Sequence, residues 1–77
     1  MQSVAVSDTF QTASQRVSRK VRELRKGVGM SQEVFADACG IDRTYASQIE
    51  RAIANPSLSV LCRIADVLQI ELSELLK

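Results

Sequence analysis

Residues 31–51, SQEVFADACGIDRTYASQIER, predict two short helices joined by a tight turn. Ser31 can cap the first helix, because its hydroxyl accepts hydrogen bonds from the free backbone N–H groups of the first turn. Gly40 can end that helix, since glycine adopts the left-handed conformation without a Cβ clash. Asp42 can then cap the second helix. A helix, a turn with glycine and a second helix are the outline of a helix-turn-helix.

Apolar residues recur at helical spacing in both segments and give each helix an inner face. The outer face of the second helix carries hydrogen-bond donors and no acid between Asp42 and Glu50. Arginine can bond guanine through two N–H groups, and Thr, Ser and Gln can reach other base edges in the major groove. The alternative is an ordinary solvated helix face. The expected inner residues are Val34, Phe35, Ala38, Cys39, Tyr45, Ala46 and Ile49, and the outer ones are Arg43, Thr44, Ser47, Gln48 and Arg51.

A combination of short elements occurs between residues 31 and 65: Ser31-Gln32-Glu33, Ala36, Gly40-Ile41, Tyr45, Ile49-Glu50-Arg51, Asn55-Pro56-Ser57-Leu58, and Leu61 with Ile64-Ala65. With these elements the sequence resembles the lambda-repressor/Cro (Xre-like) family from about Gln15 onwards. Within it, the short length and the junction at residues 42–45 are most similar to the controller proteins of restriction–modification systems. The resemblance implies an all-α, compact five-helix DNA-binding domain.

The resemblance also implies roles for residues outside the second helix of the motif. It makes Gln32 a phosphate contact that braces the recognition helix, and Asn55 a second phosphate contact, although Asn55 could equally cap its loop. It pairs Arg25 with Glu50, an ion pair that we interpret as structural rather than as a DNA contact. Ala52 stands where the family usually has glycine. Alanine there either accepts a positive φ at a cost of about 1 kcal/mol or ends the helix differently.

Position along the recognition helix divides the remaining outer residues into two groups. Arg43, Thr44 and Ser47 stand at or near the N-terminal end, which a recognition helix points into the groove, so we expect them to contact bases. Gln48 and Arg51 are expected to contact phosphates, which position a protein without specifying sequence. Tyr45 has two expected roles, because its ring can pack against the turn while its hydroxyl reaches a phosphate.

The chain of 77 residues allows one small domain. A chain this short is marginally stable alone, and oligomerisation is a usual remedy. We expect residues 1–8 to be a disordered extension and residues 9–77 to form the domain. The expected helices span residues 9–26, 32–39, 43–51, 58–68 and 72–76, with Asp8 or Thr9 capping the first and Leu58, Leu61, Ile64, Ala65 and Leu68 forming the inner stripe of the fourth.

The last helix is too short to bury its apolar residues against one small core. Exposed apolar residues usually mark an interface. We therefore expect Ile70, Leu72, Leu75 and Leu76 to form a homodimer interface, as the end of the domain does in the resembling proteins. The alternative is that these side chains fold inward.

The formal net charge is only +1, below what nucleic-acid domains usually carry. The basic residues are concentrated, however, between Arg16 and Lys26, where Glu23 is the only acid. One basic face can meet phosphates without a high overall pI. The two cysteines, Cys39 and Cys62, lie on expected apolar faces, and we expect both to be buried and reduced.

Several classes are disfavoured by what the sequence lacks. There is no histidine, no CxxC pair, no glycine-rich phosphate loop and no recognisable pair of catalytic carboxylates, so we expect no metal, no cofactor, no small-molecule ligand and no enzyme activity. No signal peptide or long apolar segment is evident, so we expect a cytoplasmic protein without a membrane partner.

The preferred function is therefore transcription regulation by a homodimer that binds duplex DNA at a palindromic operator. Controllers of this type regulate their own operon, and RNA polymerase is a candidate partner. A phage-type repressor or an antitoxin of the same fold would have a similar sequence. A different class, a protein–protein interaction module that does not bind DNA, would fit the apolar C-terminus and the modest net charge.

Overall fold

The computed structural model describes residues 7–77 and confirms the all-α fold. Within this range the regular structure is helical, and no helix combines the length and apolarity that crossing a membrane would need. The chain forms α1 (Asp8–Gly27), α2 (Gln32–Cys39), α3 (Arg43–Glu50), α4 (Leu58–Leu68) and α5 (Leu72–Leu75).

Side-chain caps start four of the helices. The hydroxyl of Ser31 accepts from the N–H of Val34 at 3.1 Å, and Ser57 does the same for Val60 at 3.1 Å. These contacts satisfy donors that a helix N-terminus otherwise leaves free. The predicted bounds of α2 and α4 agree with the structure, because their caps are readable in the sequence. The other two caps are Ser7 for α1 and Asp42 for α3.

The first helix begins one residue earlier than expected. Ser7 rather than Asp8 or Thr9 is the cap, and its hydroxyl accepts from the N–H of Phe10 at 3.0 Å. Asp8 is therefore helical, not part of the expected N-terminal extension. The first six residues of that extension lie outside the described part of the chain.

The core lies where α1 crosses the helix pair α2–α3 and the last two helices. Phe35 of α2, Ile64 of α4 and Leu75 of α5 are each 0% exposed, and Val21 of α1 packs with them. Helix α1 packs against α3, α4 and α5, and α2 packs against α3 and α4. This arrangement leaves the outer side of α3 uncovered.

Two of the expected inner faces are partly wrong. In α2 the buried residues are Phe35, Ala36 and Cys39, whereas Val34 is 53% exposed and Ala38 is exposed. These two lie on the flank of a short helix that its neighbours do not cover. In α4 the first residue, Leu58, is 66% exposed, because the N-terminal turn projects beyond the helices that pack on it.

Two helix ends place a residue other than glycine in the left-handed conformation. Ala52 follows α3 with φ of 60°, and Gln69 follows α4 with φ of 57°. After α3, the N–H of Ala52 bonds the carbonyl of Ile49 and the N–H of Ile53 bonds that of Gln48, which is the Schellman pattern. Alanine thus accepts the positive φ, and the two hydrogen bonds and the packing beyond it offset a strain of about 1 kcal/mol.

The two cysteines differ in environment. Cys39 is 2% exposed and belongs to the core, as expected, but Cys62 lies on the outer side of α4 and is exposed. The expectation that Cys62 is buried is therefore wrong, since the helix turns it away from its neighbours. Burial raises the pKa of the Cys39 thiol to about 11.

This difference predicts selective thiol labelling. At pH 8 only about one thousandth of a thiol with a pKa near 11 is thiolate, the form that reacts. We expect an aromatic disulfide reagent to release one chromophore equivalent from the native protein, through Cys62, and a second only after unfolding in urea. A Cys62→Ser variant should release none while folded. Rapid release of a full equivalent by that variant would contradict the burial of Cys39.

Candidate nucleic-acid interface

The outer face of α3 forms a shallow concave surface together with the start of α2. At its N-terminal end, the carboxylate of Asp42 accepts from the N–H of Thr44 at 2.9 Å, which fixes the first turn. Ala46 and Ile49 are buried on the opposite side, so the helix cannot rotate without exposing them. The residues that line this surface are Gln32, Arg43, Thr44, Ser47, Gln48 and Arg51.

The structure thus brings together all three residues expected to contact bases and three of the five expected to contact phosphates. Arg43 and Thr44 are exposed, while Ser47 and Gln48 are partly covered. No acid lines the surface. A concave surface that offers guanidinium, hydroxyl and amide groups suits base edges and phosphate oxygens.

Two of the expected phosphate contacts lie elsewhere. Tyr45 is half-buried and packs against the core, so its ring serves packing first. Asn55 is exposed in the α3–α4 loop and lines a neighbouring apolar cavity with Pro56 and Leu61. Neither belongs to the concave surface, although Asn55 follows Arg51 by only a few residues.

The C-terminal end of α3 is held by a buried ion pair. Arg25 of α1 donates to Glu50 through Nε at 2.6 Å and through Nη2 at 2.9 Å, and the two side chains are 10% and 2% exposed. A third donor, Nη1, reaches the carbonyl of Met30 at 2.8 Å. The hydrogen bonds to Glu50 raise the pKa of Arg25, so the guanidinium stays charged. The expected pair is therefore present and joins α1, the α1–α2 turn and α3.

The same carboxylate also orients Gln32. The amide Nε2 of Gln32 donates to Oε1 of Glu50 at 3.2 Å. Gln32 is the first residue of α2, where the positive end of the helix dipole favours an anion. The contact holds the side chain of Gln32 between the end of α3 and the rim of the concave surface.

Sequence reasoning missed two residues that hold the end of α3. The Ser18 hydroxyl donates to the backbone carbonyl of Glu50, and Arg22 Nη1 donates to the same carbonyl at 2.6 Å. Ser18 is 2% exposed, although its position on α1 reads as polar. The available signal was spacing, because Ser18, Arg22 and Arg25 fall on one flank of a helix.

The C-terminal segment contributes less free apolar surface than expected. Leu75 is 0% exposed and belongs to the core of its own chain, so it has no surface to offer a second copy. Ile70 and Leu72 are half-buried against the same core, and Leu76 is 37% exposed. The expected interface therefore retains Leu76 as its most accessible member.

An apolar cavity of about 150 Å³ lies beside Leu76, and sequence reasoning missed it. Phe10 of α1, itself 37% exposed, lines this cavity with Val17, Leu61 and Ile49. The lining comes from three helices, α1, α3 and α4, together with the α3–α4 loop and Leu76, so periodicity within one helix could not locate the cavity.

Comparison with known proteins agrees with this geometry. Residues 21–75 match the model of the family HTH_3, described as helix-turn-helix. This range includes α2, α3, α4 and α5 and the second part of α1. The chain belongs to the helix-turn-helix (HTH_3) family.

Relatives in this family include restriction–modification controllers and regulators. The chain is 46% identical over 61 residues to the control protein C.MunI of Mycoplasma sp., covering 78% of this chain and 82% of the relative. The crystal structure of the controller C.AhdI from Aeromonas hydrophila superimposes with a TM-score of 0.76 at 39% identity, covering 80% and 94% of the two chains. The biofilm regulator SinR in complex with DNA gives a TM-score of 0.74 at 31% identity, covering 79% and 98%. The resemblance to controllers inferred from the sequence is thereby confirmed, and the chain is a member of a family of DNA-binding transcription regulators.

The buried ion pair predicts a large stability effect. We expect Arg25→Ala to lower the free energy of unfolding by about 3 kcal/mol or more, because the buried carboxyl group of Glu50 would lose its ion-pair partner. Urea unfolding followed by circular dichroism measures the change. The double variant Arg25→Ala/Glu50→Ala should lose less than the sum of the two single changes.

An exposed ion pair provides the control. Lys77 and Glu74 lie 2.7 Å apart, but their side chains are 68% and 44% exposed. We expect Lys77→Ala to leave the urea midpoint unchanged. If Lys77→Ala and Arg25→Ala lowered the free energy of unfolding equally, burial would not explain the contribution of the Arg25–Glu50 pair to stability.

Proposed function

We propose that this protein is a transcription regulator that binds duplex DNA in a sequence-specific manner as a homodimer. The observation that carries the proposal is the acid-free concave surface on the outer side of α3. Arg43 and Thr44 project from its N-terminal end, and the buried inner face of α3 holds them in place. This is the arrangement by which a recognition helix enters the major groove.

We propose that some groups on this surface contact bases and that others contact phosphates. Arg43 is proposed to bond a guanine, a contact worth about 1–3 kcal/mol of discrimination, while Thr44 and Ser47 contact neighbouring base edges. Gln32, Gln48 and Arg51 are proposed to bind phosphates at the rim. Tyr45 and Asn55 lie outside the concave surface but stay candidates for phosphate contacts beyond it.

A homodimer would place two such surfaces on one operator. Two recognition helices that enter successive major grooves lie about 34 Å apart, so the operator should be a palindrome. The proposed interface consists of Leu76, the adjoining cavity with Phe10, and the half-buried Ile70 and Leu72. Burying these exposed apolar side chains would supply the driving force.

Similarity to controller proteins supports a more specific role. We propose that the protein controls a restriction–modification operon by binding its operator, with RNA polymerase as the partner whose access or recruitment it changes. A phage-type repressor or an antitoxin would use the same surface, and the genes beside the operator distinguish these roles.

Selection of DNA by the protein tests the central proposal. A pool of random duplexes is bound at physiological salt, and the retained DNA is sequenced. We expect the wild-type protein to enrich a palindrome with a guanine in each half-site. Arg43→Ala should lose the preference for that guanine and bind the selected operator at least about tenfold more weakly.

The matched control for this experiment is Arg16→Ala, which removes an exposed arginine from α1 outside the concave surface. It should retain the palindrome and the guanine preference. If the wild type enriches no motif and Arg43→Ala binds all duplexes as the wild type does, the DNA-recognition proposal fails. A protein–protein interaction module would then be the better description.

The proposed interface predicts the effect of an acidic substitution. Leu76→Glu should shift the protein from dimer to monomer in sedimentation velocity, because a carboxylate would have to be desolvated in the interface. The fold should be retained, since Leu76 follows the end of α5 and is partly exposed. The control is Val28→Glu, at a 62% exposed valine after α1, which should remain dimeric. A wild type that stays monomeric at all concentrations would exclude this interface.

A further inference from the structure

The last backbone carbonyl of α3 is bonded from another helix. The hydroxyl of Ser18 and the Nη1 of Arg22, at 2.6 Å, both donate to the carbonyl oxygen of Glu50. The same Nη1 also donates to the Ser18 hydroxyl at 2.9 Å. Ser18, Arg22 and the Glu50 carbonyl therefore form a closed triangle of hydrogen bonds, which we call the carbonyl clamp.

The carbonyl clamp differs in kind from the Arg25–Glu50 ion pair. The carbonyls at a helix C-terminus have no partner within the helix. At this end of α3, the N–H groups of Ala52 and Ile53 satisfy the carbonyls that precede that of Glu50, and α1 satisfies the carbonyl of Glu50. A carboxylate sits on a side chain that can rotate, but a backbone carbonyl moves only with the helix. The carbonyl clamp thus constrains the axis of α3 directly.

We propose that Ser18 and Arg22 are positioning residues that set the angle at which α3 presents Arg43 and Thr44 to the bases. The inference rests on the proposed DNA recognition. The residues expected to contact bases stand at one end of α3 and the carbonyl clamp holds the other. With a rise of 1.5 Å per residue, a tilt of about 10° at the clamped end moves the Arg43 end by about 2 Å. Base contacts tolerate errors of only about 0.5 Å.

Direct phosphate binding by Arg22 is the main rival. Arg22 is exposed and only its Nη1 is engaged within the described chain, so Nε and Nη2 are available to donate to a phosphate. The two roles have different signatures. A phosphate contact contributes equally on every duplex and makes the slope of log K against log salt more negative by about 0.9. A positioning residue changes the preference for the operator and leaves that slope unchanged.

Four variants separate these roles. Ser18→Ala removes one donor of the carbonyl clamp without changing charge, and Ser18→Thr restores the hydroxyl. Arg22→Gln removes the other donor and one positive charge. Arg19→Gln removes the same charge from the same helix, but its guanidinium bonds the carbonyl of Lys77 rather than that of Glu50. Affinity for the operator selected by the wild type and for a random duplex is measured by fluorescence anisotropy at several salt concentrations.

The positioning role predicts a fall in the operator-to-random affinity ratio of about tenfold for Ser18→Ala and for Arg22→Gln. Random-duplex affinity should change by less than about twofold for Ser18→Ala, and its salt slope should stay within about 0.3 of the wild-type value, because no charge is lost. Ser18→Thr should recover most of the ratio, and Arg19→Gln should keep the wild-type ratio. Circular dichroism at the assay temperature establishes that each variant is folded.

Three outcomes would overturn the inference. A folded Ser18→Ala and a folded Arg22→Gln that both keep the wild-type ratio would show that the carbonyl clamp contributes only stability. Equal losses of affinity for operator and random duplex in Arg22→Gln, with a salt slope less negative by about 0.9, would make Arg22 a phosphate ligand.

If Ser18→Ala does not fold, Arg22→Gln decides alone, because Arg22 is exposed and its replacement leaves the core intact. A wild type that selects no operator would instead refute the proposed function, and the inference would fall with it.

Discussion

The geometry of the whole domain depends on one buried carboxylate. Glu50 is 2% exposed and accepts two hydrogen bonds from Arg25 and one from Gln32. A charge so deeply buried is tolerated only when its oxygens are well satisfied, because desolvation alone would cost several kcal/mol. The two partner residues come from α1 and α2, so satisfying Glu50 requires both helices to stand in one arrangement around the end of α3. The buried ion pair therefore fixes the position of α3 more than it adds net stability.

The backbone around Glu50 reinforces that specification. Ala52 adopts a conformation that alanine disfavours, and the Schellman hydrogen bonds that surround it turn the chain sharply towards α4. A glycine would relieve the strain but would also widen the range of conformations open to the unfolded chain and the loop. The strain lies one residue beyond Arg51, the last member of the concave surface. The end of α3 thus combines a buried charge, a carbonyl bonded from α1 and a strained residue within three positions of sequence.

Features that depend on neighbouring residues could be predicted from the sequence, whereas contacts between residues distant in sequence mostly could not. Caps such as Ser31 and Ser57 act within four residues, so the bounds of α2 and α4 could be read directly. The Arg25–Glu50 pair followed from family resemblance, since nothing in the spacing of the two residues requires it. Leu75 was misassigned because a helix of four residues has too few positions for periodicity to separate its inner side from its outer side. Ser18 and Arg22 were missed because their shared flank of α1 does not identify their partner, a backbone carbonyl of a kind that every residue carries.

The third helix joins the two surfaces on which the proposed function depends. Ile49 lines the apolar cavity next to Leu76, while Ser47 and Gln48, its immediate predecessors, line the concave surface. Eight residues of rigid helix therefore connect the proposed dimer contact to the proposed base contacts. Any shift of α3 that improved one surface would displace the other, because the inner and outer residues move together. In a dimer on a palindrome, the spacing of the two half-sites would then be set by the packing behind α3, and the contacts of Glu50 with α1 and α2 are what keep that packing in one state.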